Sequence, residues 1–220
     1  MNDLRSSDTT TVAEARSFSA ASRSLLRDSV LLATGELLSS GPWRSVTVAQ
    51  VAKAAGVSRQ TVYNEFGNRE ELARAYVAWA GDQMLDEVER CVADHADDLV
   101  SALTAAFRVF LEVGTDHPVM RSLGDRTGSD DLVSVLSGDS GAPIVVGATE
   151  RLTAIVERTW PELPVEAVEV ACEVLVRLAI SHLLLPTGDP ATAARQVSLL
   201  AEPFISAVRD SHRDQATDLT

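Results

Sequence analysis

Between Thr47 and Phe66 the chain reads Thr-Val-Ala-Gln-Val-Ala-Lys-Ala-Ala-Gly-Val-Ser-Arg-Gln-Thr-Val-Tyr-Asn-Glu-Phe, and no other stretch constrains the fold as much. Thr47 followed three positions later by Gln50 is a capping-box pattern, which opens a short helix with Val48, Val51, Ala52 and Ala55 inward. Two helices packed across a turn this short need a small residue on the first, here Ala52. They also need a backbone that can take positive φ four residues on, which Gly56 supplies without steric cost. Val57 plugs the corner from the apolar side, and Ser58 caps a second short helix with Val62 and Phe66 inward.

The rest of the chain is predicted to be helical as well. From Ser22 the spacing of Leu26, Val30, Ala33 and Leu37, with Leu25 and Leu38 alongside, follows the helical period until Gly41-Pro42 stops it. Asn68 with Glu71 makes another capping box and opens a long fourth helix through Tyr76, Trp79 and Met84. Beyond Asp94, helical segments follow over Leu99 to Val113, after Pro118, after Ser129, and over Ile144 to Thr159, Val165 to Leu185 and Pro190 to Arg209. Prolines fall between these segments, where a missing backbone donor costs least, except Pro203, which is expected to kink the last. No run alternates as a strand does, so the fold class is all-α, with about nine helices. Three regions are expected: a Ser-, Thr- and Ala-rich flexible arm over 1–21, a compact helical unit over 22–75, and a helical body over 76–220.

The net charge of −13 argues at first against a polyanionic partner, but the average hides an asymmetry. Residues 1–75 hold nine basic and eight acidic side chains, a formal +1, whereas the remainder holds ten and twenty-four, a formal −14. One end tolerates a polyanion and the body repels it. Cys91 and Cys172 lie far apart without a CxxC or clustered histidines, so neither a disulfide framework nor a metal site is expected. No run of about 18 uncharged apolar residues occurs and the start is polar, so a cytoplasmic protein that does not cross a membrane is expected. His95, His117, His182 and His212 are scattered, and no Gly-rich phosphate loop or nucleophile elbow is present, so the chain does not read as an enzyme and no cofactor is expected.

The exposed face of the helix after Ser58 is Arg59, Gln60, Thr61, Tyr63 and Asn64. Arg suits guanine, Gln or Asn suits adenine, and Thr offers a methyl or a hydroxyl, so this face is built of base-edge and phosphate readers. The constellation resembles the amino-terminal DNA-binding domain of TetR-type transcriptional regulators over residues 23–78. There the helix-turn-helix comprises helices two and three, followed by an aromatic pair and a Lys-Glu-type start to helix four. Tyr63, Phe66, Arg69, Glu70 and Leu72 occupy those places here. The resemblance implies that Arg59, Gln60 and Asn64 reach into the major groove, that Thr47, Ser58, Tyr63 and Arg69 hold phosphates, and that Arg44 and Lys53 are further phosphate candidates. Thr47 and Ser58 read equally as helix caps, and one hydroxyl can do both jobs; the alternative for Tyr63 is a core aromatic. Two departures stand out. Glu65 replaces the usual His and is expected to face away from the phosphates or pair with Arg69, and Arg69 replaces the usual Lys.

For residues 76–220 the resemblance implies a ligand-binding and dimerisation domain whose helices enclose an apolar pocket and whose last two form a four-helix bundle with a second subunit. Val165 to Leu185 is apolar almost all round, with one polar stripe of Glu166, Glu169, Glu173 and Arg177, so it must be covered on most sides. Val197, Leu200, Ala201, Phe204 and Val208 form a second apolar stripe. Both suit a partner chain or a monomer core. Pocket candidates are Leu103, Phe107, Phe110, Leu111, Met120 and Leu175, with Trp79, Val145 and Leu152 behind them. Arg177 and His182 are candidate headgroup partners, although Glu173 stands four residues before Arg177 and offers it an intrachain pair. Gly124, Gly128, Gly138 and Gly141 mark a candidate lid. The phrases Arg151-Leu, Thr159-Trp160-Pro161, Val176 to Pro186 and Tyr63-Asn-Glu-Phe66 are similar to an actinobacterial subgroup of TetR-type regulators associated with alkane hydroxylase genes.

The expectation is a homodimeric repressor on a palindromic double-stranded operator, released by an apolar effector of at most one charge, such as a fatty acid or an alkane-derived alcohol. The alternative is a DNA-binding regulator controlled by a protein partner, or an activator without a small-molecule inducer.

Overall fold

The computed structural model describes the backbone of residues 4–120 and 141–217 and the side chains of residues 20–120 and 141–209. The candidate lid, save Gly141, and the segment expected after Ser129 lie outside the described residues. All regular structure among the described residues is helical, in two compact units, Met1–Tyr76 and Val77–Thr220.

The first unit contains α1 (Leu4–Ser40), a 3-10 turn (Trp43–Ser45), α2 (Val48–Ala54), α3 (Arg59–Phe66) and the start of α4 (Arg69–Asp94). α1 begins well before Ser22. The residues ahead of Ser22 include few large apolar side chains, so a reading based on hydrophobic period does not reach them. Inside the unit, Val30, Leu31 and Leu38 of α1, Val51 of α2, Val62 and Phe66 of α3, and Leu72 and Tyr76 of α4 are all buried and make up its core. Leu25, placed alongside the core stripe by its spacing, is 72% exposed, whereas Leu31 takes the inward position. Thr34 is fully buried on α1 and is satisfied there by donating to Val30 O at 2.8 Å. At Gly35 an added Cβ would stand 3.0 Å from the Tyr76 hydroxyl oxygen, so the missing side chain is what lets Tyr76 lie against α1. Burial pushes the Tyr76 phenol up to about 12.

The second unit takes the rest of α4 with α5 (Leu99–Asp116), α6 (Ala142–Thr159), α7 (Val165–Leu184) and α8 (Pro190–Thr217). Residues 118–120 form a short helical stretch after Pro118. Caps fix the starts of two of these helices. Asp98 accepts from Val100 N at 3.2 Å, and its bond from the Ser101 hydroxyl holds its carboxyl below the usual range. Asp189 accepts from Thr192 N at 2.9 Å and is lowered likewise by Thr192.

One core group joins Leu85, Val88 and Val92 of α4 to Ala106 of α5, Ile155 of α6 and Trp160. A second joins Phe107 and Leu111 of α5 to Ala179 of α7 and Ala194 and Val197 of α8. α5 and α7 approach closely at Gly114, where a Cβ would fall 2.6 Å from Leu183 Cδ2. Arg151 of α6 reaches across to Asp82, Asp86 and Glu89 of α4, and Arg158 pairs with Glu89 at 2.5 Å. Pro203 lies inside α8 as its position foretold. Among the described residues no helix is long and apolar enough to cross a membrane.

Candidate nucleic-acid interface and apolar cavity

The corner between α2 and α3 is closed by backbone geometry. Gly56 takes φ +69°, Val57 N donates to Ala52 O at 2.9 Å, and Gly56 N donates to Lys53 O at 3.3 Å. This is a Schellman ending, and it requires the left-handed conformation that Gly56 adopts without strain. Ala52 is 2% exposed, as the close packing of the two helices demands. A second left-handed glycine, Gly67 at φ +83°, ends α3. Its place directly after Phe66 is a C-cap signal that the reading of the sequence passed over.

The start of each helix is capped as expected. Thr47 forms both halves of a capping box with Gln50: its hydroxyl accepts from Gln50 N at 3.3 Å and its own N donates to Gln50 Oε1 at 2.9 Å. Ser58 Oγ accepts from Thr61 N at 3.0 Å and lies 2.8 Å from the Thr61 hydroxyl. Both hydroxyls therefore cap helices, and both remain exposed.

From that cap, α3 presents Arg59, Gln60, Tyr63 and Asn64 to solvent, with Thr61 half-buried at the edge. Tyr63 is 47% exposed, so it is not a core aromatic. Gln60 Nε2 donates to Asn64 Oδ1 at 2.8 Å, which couples the two candidate adenine readers. Arg44 in the 3-10 turn and Lys53 in the last turn of α2 are exposed.

Arg69 and Glu65 both find partners within the unit, and of the two arrangements expected for Glu65 the pair with Arg69 is excluded. Arg69, expected on a phosphate, is half-buried: Nε donates to Val46 O at 3.1 Å, Nη2 donates to Trp43 O at 2.6 Å, and the guanidinium stacks 4.5 Å from the Trp43 ring. Its fork is used to fix the carbonyls around the 3-10 turn, a demand invisible without the fold. Trp43, fully buried and unread in the sequence, is the reason the turn needs such an anchor. Glu65 pairs with Arg23 and Arg27 of α1 rather than with Arg69.

In the second unit, α4 to α8 line a cavity of about 420 Å³ that is open to the surface on one side, a volume that falls within the range of small-molecule sites. Leu103, Phe107, Phe110, Met120, Leu152 and Leu175 line it, as expected. Met84, Val119 and Leu183 line it too and were not singled out, because side chains at helical spacing look alike whether they face a void or a core. Among the described residues no charged or hydroxyl side chain lines the wall. The Cys172 thiol is on it, 1% exposed and pushed up to about 11 by burial, so it stays protonated near neutral pH.

Three candidate ligand residues are not on this wall. Leu111 is packed at 4% exposure in the core group with Ala194. Arg177 points to solvent and holds Glu173, Nη2 to Oε1 at 2.8 Å, because the inward positions of α7 are Val168, Cys172, Val176 and Ala179. His182 is half-buried with its ring edge-to-face against Phe107, centroids 5.9 Å apart. Trp79 and Val145 also lie off the wall. Val170 and Val174 of α7 and Leu200 and Phe204 of α8 line the same cavity yet are 44% to 72% exposed, so the cavity opens onto the apolar surface of these two helices, with Leu199 beside it at 70%.

Residues 30–76 match the family of bacterial regulatory proteins of the tetR type, and residues 98–203 match the bacterial tetracyclin repressor C-terminal domain. The HTH-type transcriptional regulator AlkX of Mycobacterium tuberculosis (strain H37Rv) is 35% identical over 187 residues, 85% of this chain and 88% of that one. The crystal structure of the TetR family repressor AlkX from Dietzia sp. strain DQ12-45-1b is similar at a TM-score of 0.74 and 32% identity, over 82% of this chain and 97% of that one. A TetR-family regulator from Pectobacterium atrosepticum, 16% identical with a TM-score of 0.60 over 86% and 96% of the two chains, shares the fold. A glycine-cornered helical pair with an exposed polar recognition face, a helical body behind it in sequence, and a relative of this identity over most of both chains lead to one conclusion: the protein is a transcriptional regulator of the TetR family.

Proposed function

We propose that the protein is a cytoplasmic homodimeric repressor that binds a palindromic operator and is released by an uncharged, long or bulky hydrocarbon effector. The observation that carries the effector half is the cavity, which offers no charged or hydroxyl partner on its described wall. A buried carboxylate without a partner is too costly, so the fatty-acid arm of the expectation, which relied on Arg177 or His182, gives way to a neutral hydrocarbon chain. The body's formal charge of −14 sets an unfavourable field for polyanions such as an acyl-coenzyme A. The Dietzia relative is described as implicated in biodegradation of n-alkanes, which supports an alkane or an alkane-derived alcohol.

For the operator, Arg59, Gln60 and Asn64 are assigned to base edges, and Thr47, Ser58, Tyr63, Arg44 and Lys53 to phosphates. The exposed apolar residues of α7 and α8, four of which also line the open side of the cavity, are assigned to the second subunit, which would then cover that opening. The experiment is a titration of the operator complex, the operator being selected from genomic DNA, with alkanes, primary alcohols and carboxylates of graded length. Release is expected to depend on chain length, rising about fourfold in potency per added methylene until the cavity is filled, from about 0.8 kcal/mol per buried CH₂. Release by carboxylates alone, or tight ligand binding that leaves operator affinity unchanged, refutes the reading.

A further inference from the structure

Glu65 is the sole acidic side chain of α3, and it stands next to Asn64 on the helix that carries the reading face. A carboxylate there opposes DNA phosphates unless it is neutralised. It is 10% exposed and neutralised twice: Oε2 accepts from Arg23 Nε at 2.7 Å, and Oε1 accepts from Arg27 Nη1 at 3.3 Å. Arg23 and Arg27 are four residues apart on α1, so they come from one face of that helix. Arg27 is further held over the Phe66 ring, 4.7 Å from its centroid, whereas Arg23 is 69% exposed. Arg23 and Glu65 share a shallow groove with Ser22, Leu26, Thr61 and Asn64, so the pair adjoins a proposed base reader.

We propose that Glu65 is a specificity-determining positioning residue. It ties α3 to α1 and withholds the guanidinium groups of Arg23 and Arg27 from backbone phosphates. Operator recognition then rests on the base contacts of α3 rather than on sequence-independent charge. The physical basis is the small formal charge of the first unit, +1 over residues 1–75. Phosphate contacts supply affinity to every sequence alike, so each guanidinium freed from Glu65 raises binding to random DNA and dilutes discrimination. Pairing it with Glu65 has the opposite effect, and at the same time fixes the helix that carries Gln60 and Asn64.

The inference rests on the DNA-binding half of the reading above and not on the effector. Its test compares full-length wild type, Arg23→Gln, Glu65→Gln and the double variant on the selected operator and on a random duplex of equal length, between 50 and 200 mM salt. Glu65→Gln is expected to bind the random duplex more tightly with a lower operator-to-random ratio. Its salt slope is expected to steepen by about 0.9 for each guanidinium released, an extra loss of about 3.5-fold over that salt range. Arg23→Gln alone is expected to leave the slope at the wild-type value, and combined with Glu65→Gln to bring the slope back toward it. A slope on the operator lowered by about 1.8 in Arg23→Gln alone, about 0.9 for each subunit of the dimer, overturns the inference, since Arg23 would then already sit on a phosphate. Unchanged slope and ratio in Glu65→Gln overturn it too. Should Glu65→Gln not fold, Arg23→Gln decides, because Arg23 is exposed and its loss leaves Glu65 paired with Arg27. A wild type that binds neither duplex refutes the DNA-binding reading instead.

Discussion

Gln60 and Asn64 hold each other through one hydrogen bond in the free protein, and each keeps a second polar end for a base. That arrangement pre-sets two rotamers of the reading face before DNA arrives, which lowers the ordering cost of binding. Gln60→Ala or Arg59→Ala is therefore expected to cost about 1–3 kcal/mol of discrimination at one base position per half-site. Tyr63→Phe, which removes only the hydroxyl proposed to hold a phosphate, is expected to weaken all sequences alike; base-preference profiles of the three variants check the distinction. Tyr76 gives a second residue-scale outcome. Its phenol is raised to about 12 in the fold against about 10 when unfolded, so above pH 10 the unfolded chain loses a proton that the fold retains. The stability this contributes is whole below pH 10 and is lost as pH rises toward 12, on the order of 2–3 kcal/mol. Denaturant melts across that window should show the loss in wild type and a smaller one in Tyr76→Phe.

Elements were readable in this sequence wherever a backbone demand forces a residue type. Thr47 with Gln50, Gly56 and Ser58 each answer a local requirement of capping or positive φ, and each takes the place in the structure that its chemistry implies. The partners that Arg69 and Glu65 hold within the unit were not legible in the sequence because Trp43 O and Val46 O for one, and Arg23 and Arg27 for the other, are 23 to 42 residues away. Long side chains choose partners by tertiary proximity, which periodicity does not encode. The same limit applies along α5, where Leu103, Phe107, Phe110 and Leu111 are alike in type, yet three line the cavity and Leu111 does not. Mutation separates the two kinds. Leu111→Ala leaves a void in a packed region and is expected to cost about 2–5 kcal/mol. Leu103→Phe grows into the cavity, so unfolding should change by less than about 0.5 kcal/mol while release by the hydrocarbon effector is lost. Calorimetry on both variants, with operator release on the second, checks the pair.

At the scale of the whole molecule, the two functions are linked only if the effector favours one arrangement of two recognition helices over another. Tight binding to both arrangements shifts nothing, and a change from mostly bound to mostly free needs several kcal/mol of differential affinity, about 5.5 for a full reversal. A single α3 reads few base pairs, and a unit of formal charge +1 draws little electrostatic attraction, so the proposed two-fold dimer is expected to supply operator affinity by doubling both contributions. Leu199 tests this without touching the effector site. It is 70% exposed on α8, adjoins the apolar face and does not line the cavity. Leu199→Glu places a charge on each side of a self-complementary interface, where like charges meet and lose water. Sedimentation at micromolar concentration is expected to show wild type as a dimer and Leu199→Glu as a monomer. Operator affinity should fall steeply in the variant while weak binding to random DNA and thermal unfolding of the helices are retained. A wild-type monomer that holds the operator at full affinity, or a Leu199→Glu monomer that does so, breaks the link between two-fold symmetry and recognition.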